Sequence, residues 1–207
     1  MSKPARRSHA ERTALTRAKI MNAVVDCIAD VGFGRTTAAE IARRSGMTWG
    51  AVQHHFGGKK GILIAVLEDS FDRFAQKLSD IETQGIPLEK RVDQFIDRAW
   101  EHFGSAHYRS MFEILLSYSG PDGPEPESLW QSEMLHAWDR IWKNLFSETE
   151  LDRRGTIRLQ YYTISVLSGL ASMQMLGSPR LRSLGPEIQL LKETLVRELA
   201  TPDAKES

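Results

Sequence analysis

A single cysteine, Cys27, stands among the 207 residues, so no disulfide can form within the chain and a reducing cytoplasm is the expected setting. No apolar run is long and clean enough to span a bilayer. The least charged stretch, Leu159 to Leu176, carries Gln160, Thr163, Ser165, Ser168, Ser172 and Gln174, and reads as a buried helix with no membrane role. The first apolar cluster follows a basic, polar stretch without a cleavage pattern, so no signal peptide is expected. Alternating strand patterns of useful length are missing, as are internal repeats. Catalytic signatures are missing too: there is no glycine-rich phosphate loop, no Gly-x-Ser-x-Gly and no His-Glu-x-x-His. Cys27 falls on an apolar helical face and reads as buried filler, not as a nucleophile. His102 and His107 are five residues apart and His54 and His55 are adjacent, and neither is a metal-ligand spacing. The expectation is a non-enzymatic protein without metal or cofactor.

Net charge is also missing, since 27 basic residues face 27 acidic ones, but the balance is uneven along the chain. Residues 1–60 hold eleven Lys or Arg against four Asp or Glu, and the remainder holds sixteen against twenty-three. A basic headpiece on an acidic body suits a DNA-binding protein, because neutralising phosphates supplies much of the binding free energy. A solvated basic tail would produce the same count.

What the chain does contain is helical periodicity, and the class is all-α with about nine helices. Ile20, Val24, Cys27, Ile28 and Val31 form one helical face, closed by Gly32. Thr37 with Glu40 reads as a capping box opening a second, short helix that stops at Ser45-Gly46. Thr48 caps a third, running to about His55. Leu63, Leu67, Phe71, Phe74, Leu78 and Ile81 make the stripe of a long fourth helix that ends near Gly85-Ile86-Pro87. Val92, Phe95, Ile96, Ala99 and Phe103 mark a fifth, and Tyr108 to Tyr118 a sixth. Residues 119–126, with three prolines and two glycines, are the clearest loop. Ser128 with Gln131 is a second capping box, ahead of Leu135, Trp138, Trp142 and Leu145. A long helix from about Leu151 to Leu176 follows. A last one starts at Pro186 and turns Ile188, Leu191, Leu195 and Leu199 inward.

Residues 37–56 carry the strongest signal. Two short helices joined by a glycine turn need apolar positions that lock them at a steep angle, and Ile41, Ala42, Met47, Val52 and Phe56 supply them. Gly46 tolerates the positive backbone torsion of a tight turn. The exposed positions of the third helix are then Thr48, Trp49, Gly50, Gln53 and His54, at an end that can enter a major groove and read base edges. Trp49 either meets DNA or packs on a neighbouring helix. The run Thr36-Thr37, Ile41-Ala42, Gly46-Met47-Thr48-Trp49-Gly50-Ala51-Val52, His55-Phe56 and Lys59 resembles the tetracycline-repressor-like (TetR) family of bacterial regulators, with the close match over roughly residues 15–70. The resemblance implies a homodimer with two recognition helices on a palindromic operator in double-stranded DNA, and repression relieved by a small ligand. By position it implies that Thr48, Trp49, Gly50 and His54 face DNA, while Thr37 and Lys59 meet phosphate. That family usually has Tyr where this chain has Gln53, which can bind adenine or touch phosphate. Arg6, Arg7, Arg12 and Arg17 precede or begin the first helix, as a solubilising tail or as an arm that orders on DNA.

The domains are thus expected at 1–60, a helix-turn-helix headpiece with a basic N-terminal arm, and 61–207, a ligand-binding and dimerisation body. In the body Trp100, Phe103, Met111, Phe112, Trp138, Trp142 and Tyr162, together with Tyr118, Trp130, Tyr161, Met173 and Met175, are either plain core or the lining of a pocket for an apolar or aromatic organic effector. His102, His107 and Glu113 would orient such a ligand. The last two helices suit dimerisation, since Ser165 with Gly169 and Ser168 with Ser172 place small residues four apart; an intramolecular bundle is the alternative. Together these features point to a cytoplasmic transcriptional repressor. A dimeric ligand- or partner-binding protein with an inactive headpiece is the alternative.

Overall fold

A computed structural model describes residues 8–118, 129–149, 151–177 and 184–200, with side chains at all of these but 118 and 129–135. Arg6 and Arg7, the 119–126 loop, the Ser128–Gln131 capping box and the side chains of Tyr118 and Trp130 lie outside the described residues. Those residues form nine α-helices and one 3-10 turn, with no strand among them: α1 (His9–Val31), the 3-10 turn Phe33–Arg35, α2 (Ala38–Ser45), α3 (Trp49–Phe56), α4 (Lys59–Ser79), α5 (Leu88–Phe103), α6 (Ala106–Tyr118), α7 (Leu129–Phe146), α8 (Arg153–Met175) and α9 (Gly185–Ala200). The all-α expectation holds. No described helix is long and apolar enough to cross a membrane.

The chain divides into two compact units, Met1–Ser70 with Ser110–Pro124, and Phe71–Arg109 with Glu125–Ser207. Contact therefore cuts both α4 and α6 part-way, where the sequence suggests one cut at residue 60. The end of α6 joins the first unit through specific bonds: Ser110 Oγ donates to the Val25 carbonyl (3.1 Å), and Glu113 accepts the Phe33 N–H (2.8 Å).

In the first unit, α1 opens on a capping box that the apolar pattern does not reveal. Ser8 Oγ accepts the Glu11 N–H (3.2 Å) and the Glu11 carboxylate accepts the Ser8 N–H (2.7 Å), so the helix begins eleven residues before its first buried position, Ile20. Its inner face buries Ile20, Val24, Cys27 and Ile28. Gly46 ends α2 in the left-handed conformation (φ 63°, ψ 30°), as a tight turn requires. Gly61, in the first turn of α4, permits a close approach: a Cβ there would lie 1.9 Å from the Phe56 carbonyl oxygen.

The second unit is built around rings. Phe95 on α5 lies 5.9, 5.8 and 5.7 Å from Trp138, Trp142 and Phe146 on α7, and Phe74 stacks on Trp138 at 5.4 Å and 17°. Such pairs each add about 0.5–1.5 kcal/mol beyond area burial. The α9 stripe of Ile188, Leu191, Leu195 and Leu199 is buried within this unit, where α9 packs on α5 and α8. Lys192 ties α9 to α5 through Asp97 (2.7 Å) and Asp93 (3.4 Å), and buried Arg91 ties α5 to α7 through the Leu145 carbonyl (2.8 Å) and pairs with Glu148 just beyond that helix (2.5 Å). His102 is buried against Phe74 (4.8 Å), Phe103 and Tyr108, where desolvation, reinforced by His107 and Lys77, pushes its pKa down to about 4 from the ordinary 6.5.

Replacing Gly61 with Ala forces backbone apart at the α3–α4 junction and should cost roughly 1–3 kcal/mol in urea unfolding; an unchanged midpoint would show that the junction relaxes freely. His102 is held neutral in the fold, so the unfolded chain takes its proton more readily. Its contribution is present above pH 6.5 and is lost as pH falls toward about 4, a span worth roughly 3 kcal/mol at most. Urea midpoints measured over that window should drop for the wild type and drop less for His102→Leu.

Candidate nucleic-acid interface

The helix-turn-helix is assembled by its caps. Thr37 Oγ1 accepts the Glu40 N–H and Thr48 Oγ1 the Ala51 N–H, both at 3.2 Å, so each hydroxyl starts a helix and keeps its own proton to donate outward. The reciprocal half of the box expected at Thr37 is absent. Glu40 instead accepts from Arg43 (2.6 and 2.9 Å) and Arg44 (2.7 Å), and Arg44 also reaches Asp30 (2.5 Å). The hydrogen bonds from Arg43 and then Arg44 hold the Glu40 carboxyl down to about 2. A carboxylate shared by two guanidiniums has a stronger attraction there than to one backbone N–H.

Of the residues singled out on α3, Gly50, Gln53 and His54 are exposed, Trp49 is half-buried, and Thr48 is the exposed N-cap. Thr37 and Lys59 stand at the N-terminal ends of α2 and α4. Val52 is fully buried and Phe56 half-buried, which turns the opposite face of α3 outward. Lys59 Nζ lies 4.9 Å from the Phe33 ring centroid.

The basic residues of α1 divide into two kinds. Arg17 Nη1 donates to the His55 carbonyl (2.6 Å) while its guanidinium lies 4.2 Å over the Phe56 ring, so it binds the last turn of α3 and is not part of an arm. Arg12 is exposed and lines a cleft of about 520 Å³ with His9, Thr13, Thr16, Arg17, His54 and His55, which has no acidic member. Sequence reasoning missed this cleft because it joins residues some forty positions apart.

The residues expected to line an effector pocket are not all brought together. Met111 and Phe112 fall in the first unit; Trp100, Phe103, His107, Trp138, Trp142 and Tyr162 fall in the second. Phe103, Trp138 and Trp142 are core, whereas Tyr162 sits on an exposed face of α8. The indole N–H groups of Trp138 and Trp142 are buried without a hydrogen-bond partner among the described residues. A groove of about 830 Å³ between α7 and α8 is lined by Trp142, Phe146, Tyr161, Asp139, Arg153 and Gln160, among others.

Known proteins resemble this chain in sequence and in fold. The family model described as "Bacterial regulatory proteins, tetR family" matches residues 20–66. The transcriptional regulator BetI of Escherichia coli is 36% identical over 162 residues, 76% of this chain and 80% of that protein. SrpR of Pseudomonas putida is 29% identical over 195 residues, 87% of this chain and 82% of its own. Other matches are shorter: the chain spans about half the length of BetI 1 of Chromohalobacter salexigens (31% identical over 41% of this chain, 45% of that protein) and of CymR of Pseudomonas putida (27% identical over 55% and 56%). Among solved structures, the fatty acid degradation regulator FadR of Bacillus halodurans superposes with a TM-score of 0.68 at 15% identity, over 93% of this chain and 97% of that one. A helix-turn-helix with both caps in place, on an all-helical chain that aligns with BetI over four-fifths of that regulator, places this protein in the tetR family of bacterial regulatory proteins.

Proposed function

We propose that the protein is a DNA-binding transcriptional repressor, and that it leaves a palindromic operator when an organic effector binds its second unit. The observation that carries the reading is the arrangement around α3. Gly50, Gln53 and His54 are exposed on one helix capped by Thr48, with Thr37 and Lys59 at the starts of α2 and α4, where partial positive charge and N–H donors favour phosphate. In this reading Thr48, Trp49, Gly50, Gln53 and His54 meet base edges, and Thr37 and Lys59 hold the backbone.

The homodimer is formed by the outward face of α8 with α9. Ile157, Tyr161, Ser165, Gly169 and Met173 follow one another four apart along α8, all exposed, and Leu176 continues the line just beyond it. Leu190 is exposed on α9. Small residues at Ser165 and Gly169 permit a second helix to approach closely. The effector has an apolar or aromatic body with a hydrogen-bond acceptor, a reading supported by the unpartnered Trp138 and Trp142 N–H groups amid rings. Its binding shifts the population toward a dimer whose headpieces no longer match successive major grooves, about 34–36 Å apart.

Selection of random duplexes by the purified protein, followed by titration across a salt series, tests the central reading. A palindromic site with steep salt dependence is expected; no enrichment together with weak binding at low salt would make the protein a ligand-binding dimer with an inactive headpiece. Lys59→Ala should weaken binding to every sequence alike, whereas His54→Ala should change base preference. Thr48→Ser keeps the cap and so separates readout from helix stability. Uniform loss from all three would overturn the division into base and phosphate contacts. Gly169→Arg, at a position where a Cβ meets nothing within 4 Å, should leave the fold intact but give a monomer in sedimentation, with DNA affinity reduced at least tenfold.

A further inference from the structure

The turn joining α1 to α2 is satisfied almost entirely by its own backbone. Gly32 N–H donates to the Ile28 carbonyl (2.9 Å), the Arg35 and Thr36 N–H groups to the carbonyls of Gly32 (3.3 Å) and Phe33 (3.0 Å), and the Thr36 hydroxyl to the Gly32 carbonyl (3.0 Å). Phe33 opens the 3-10 turn, and the first N–H groups of any helical turn lack partners within it. Its N–H is donated to Oε2 of Glu113, 2.8 Å away and eighty residues along the chain. Ser110, one turn earlier on α6, is fully buried and donates to the Val25 carbonyl, so this end of α6 is fixed on α1. The ring of the same Phe33 carries the Lys59 ammonium 4.9 Å from its centroid.

We propose that Glu113 is a positioning residue for DNA binding: it holds the Phe33 turn, and the Phe33 ring seats Lys59 to meet a phosphate. The proposal rests on the reading of Lys59 as a phosphate contact. An ammonium already held over a ring gives up less side-chain freedom when it reaches a phosphate, so the seat tightens binding by preorganisation. General electrostatics makes the opposite demand. An acidic side chain in a phosphate-binding unit repels DNA, and its removal should tighten binding. The two accounts differ in sign.

The full-length protein and a duplex carrying its selected site are titrated across a salt series. Glu113→Leu, which removes both acceptor and charge, should weaken binding about fivefold and flatten the salt dependence by roughly one unit of slope for each Lys59 displaced. Glu113→Gln keeps an acceptor oxygen for the Phe33 N–H while losing the charge, and should stay within about twofold of the wild type. In a Lys59→Ala background, Glu113→Leu should cost nothing further. Phe33→Leu keeps the backbone N–H but removes the ring; it should repeat the loss and the non-additivity, and it decides the question if Glu113→Leu does not fold. Tighter binding by Glu113→Leu, or the same loss in both backgrounds, overturns the positioning role and leaves the regulator reading standing. A wild-type protein that binds no duplex at any salt overturns both.

Discussion

An eight-residue helix does not persist alone in water, and α3, on which any readout of DNA depends, is eight residues long. Its shape is imposed at both ends. Thr48 caps its start, and Arg17 closes its finish by donating to the His55 carbonyl while lying over the Phe56 ring. The next helix then begins so close that only a glycine fits at position 61 beneath the Phe56 carbonyl. The aim of Gln53 and His54 is therefore a property of α1 and α4 as much as of α3. A guanidinium suits this clamp because it stacks on a ring face and donates in its own plane at the same time.

The same economy governs the charge of the headpiece. By sequence, its cations outnumber its anions by eleven to four, yet Arg43 and Arg44 share Glu40, Arg44 also holds Asp30, and Arg17 is committed to α3. These cations stabilise α2 and α3 through short-range bonds, while their charge still counts in the net positive balance of the headpiece.

Local chemistry was legible in the sequence, and distant pairing was not. The caps at Thr37 and Thr48, the left-handed Gly46 and the inward stripes of α1 and α9 each follow from residues within a turn or two of one another. The start of α1 was missed because Ser8 and Glu11 precede any apolar residue of its buried face. The fourth helix ends at Ser79, short of the glycine near position 85, although its stripe continues to the buried Ile81. Arg17 with His55, and Glu113 with Phe33, pair across 38 and 80 residues, where no spacing rule reaches. Glu113 stood out in the sequence only as a polar group for a ligand, because its partner is a backbone N–H that no side-chain pattern encodes.

The small residues of α8 show how one helix can answer two demands that look exclusive in sequence. Ser168 receives the Tyr108 hydroxyl (3.0 Å), which turns it toward its own unit, and the half-buried Ser172 donates its Oγ back along the helix to the Ser168 carbonyl (2.7 Å). Ser165 and Gly169, offset by three residues, are exposed. The offset alone does not fix the difference, since residues three apart are near neighbours on a helix; the Tyr108 hydroxyl bond marks the side on which Ser168 lies. Leu167 and Ala171, buried between them in sequence, complete the inner face. Packing within the unit thus leaves one face of this 23-residue helix open to the proposed contact with a second copy. The stripe of four buried leucine and isoleucine side chains on α9 is spent inside the unit, which leaves Leu190 as its exposed large apolar side chain, so in the proposed homodimer α8 would carry most of the contact.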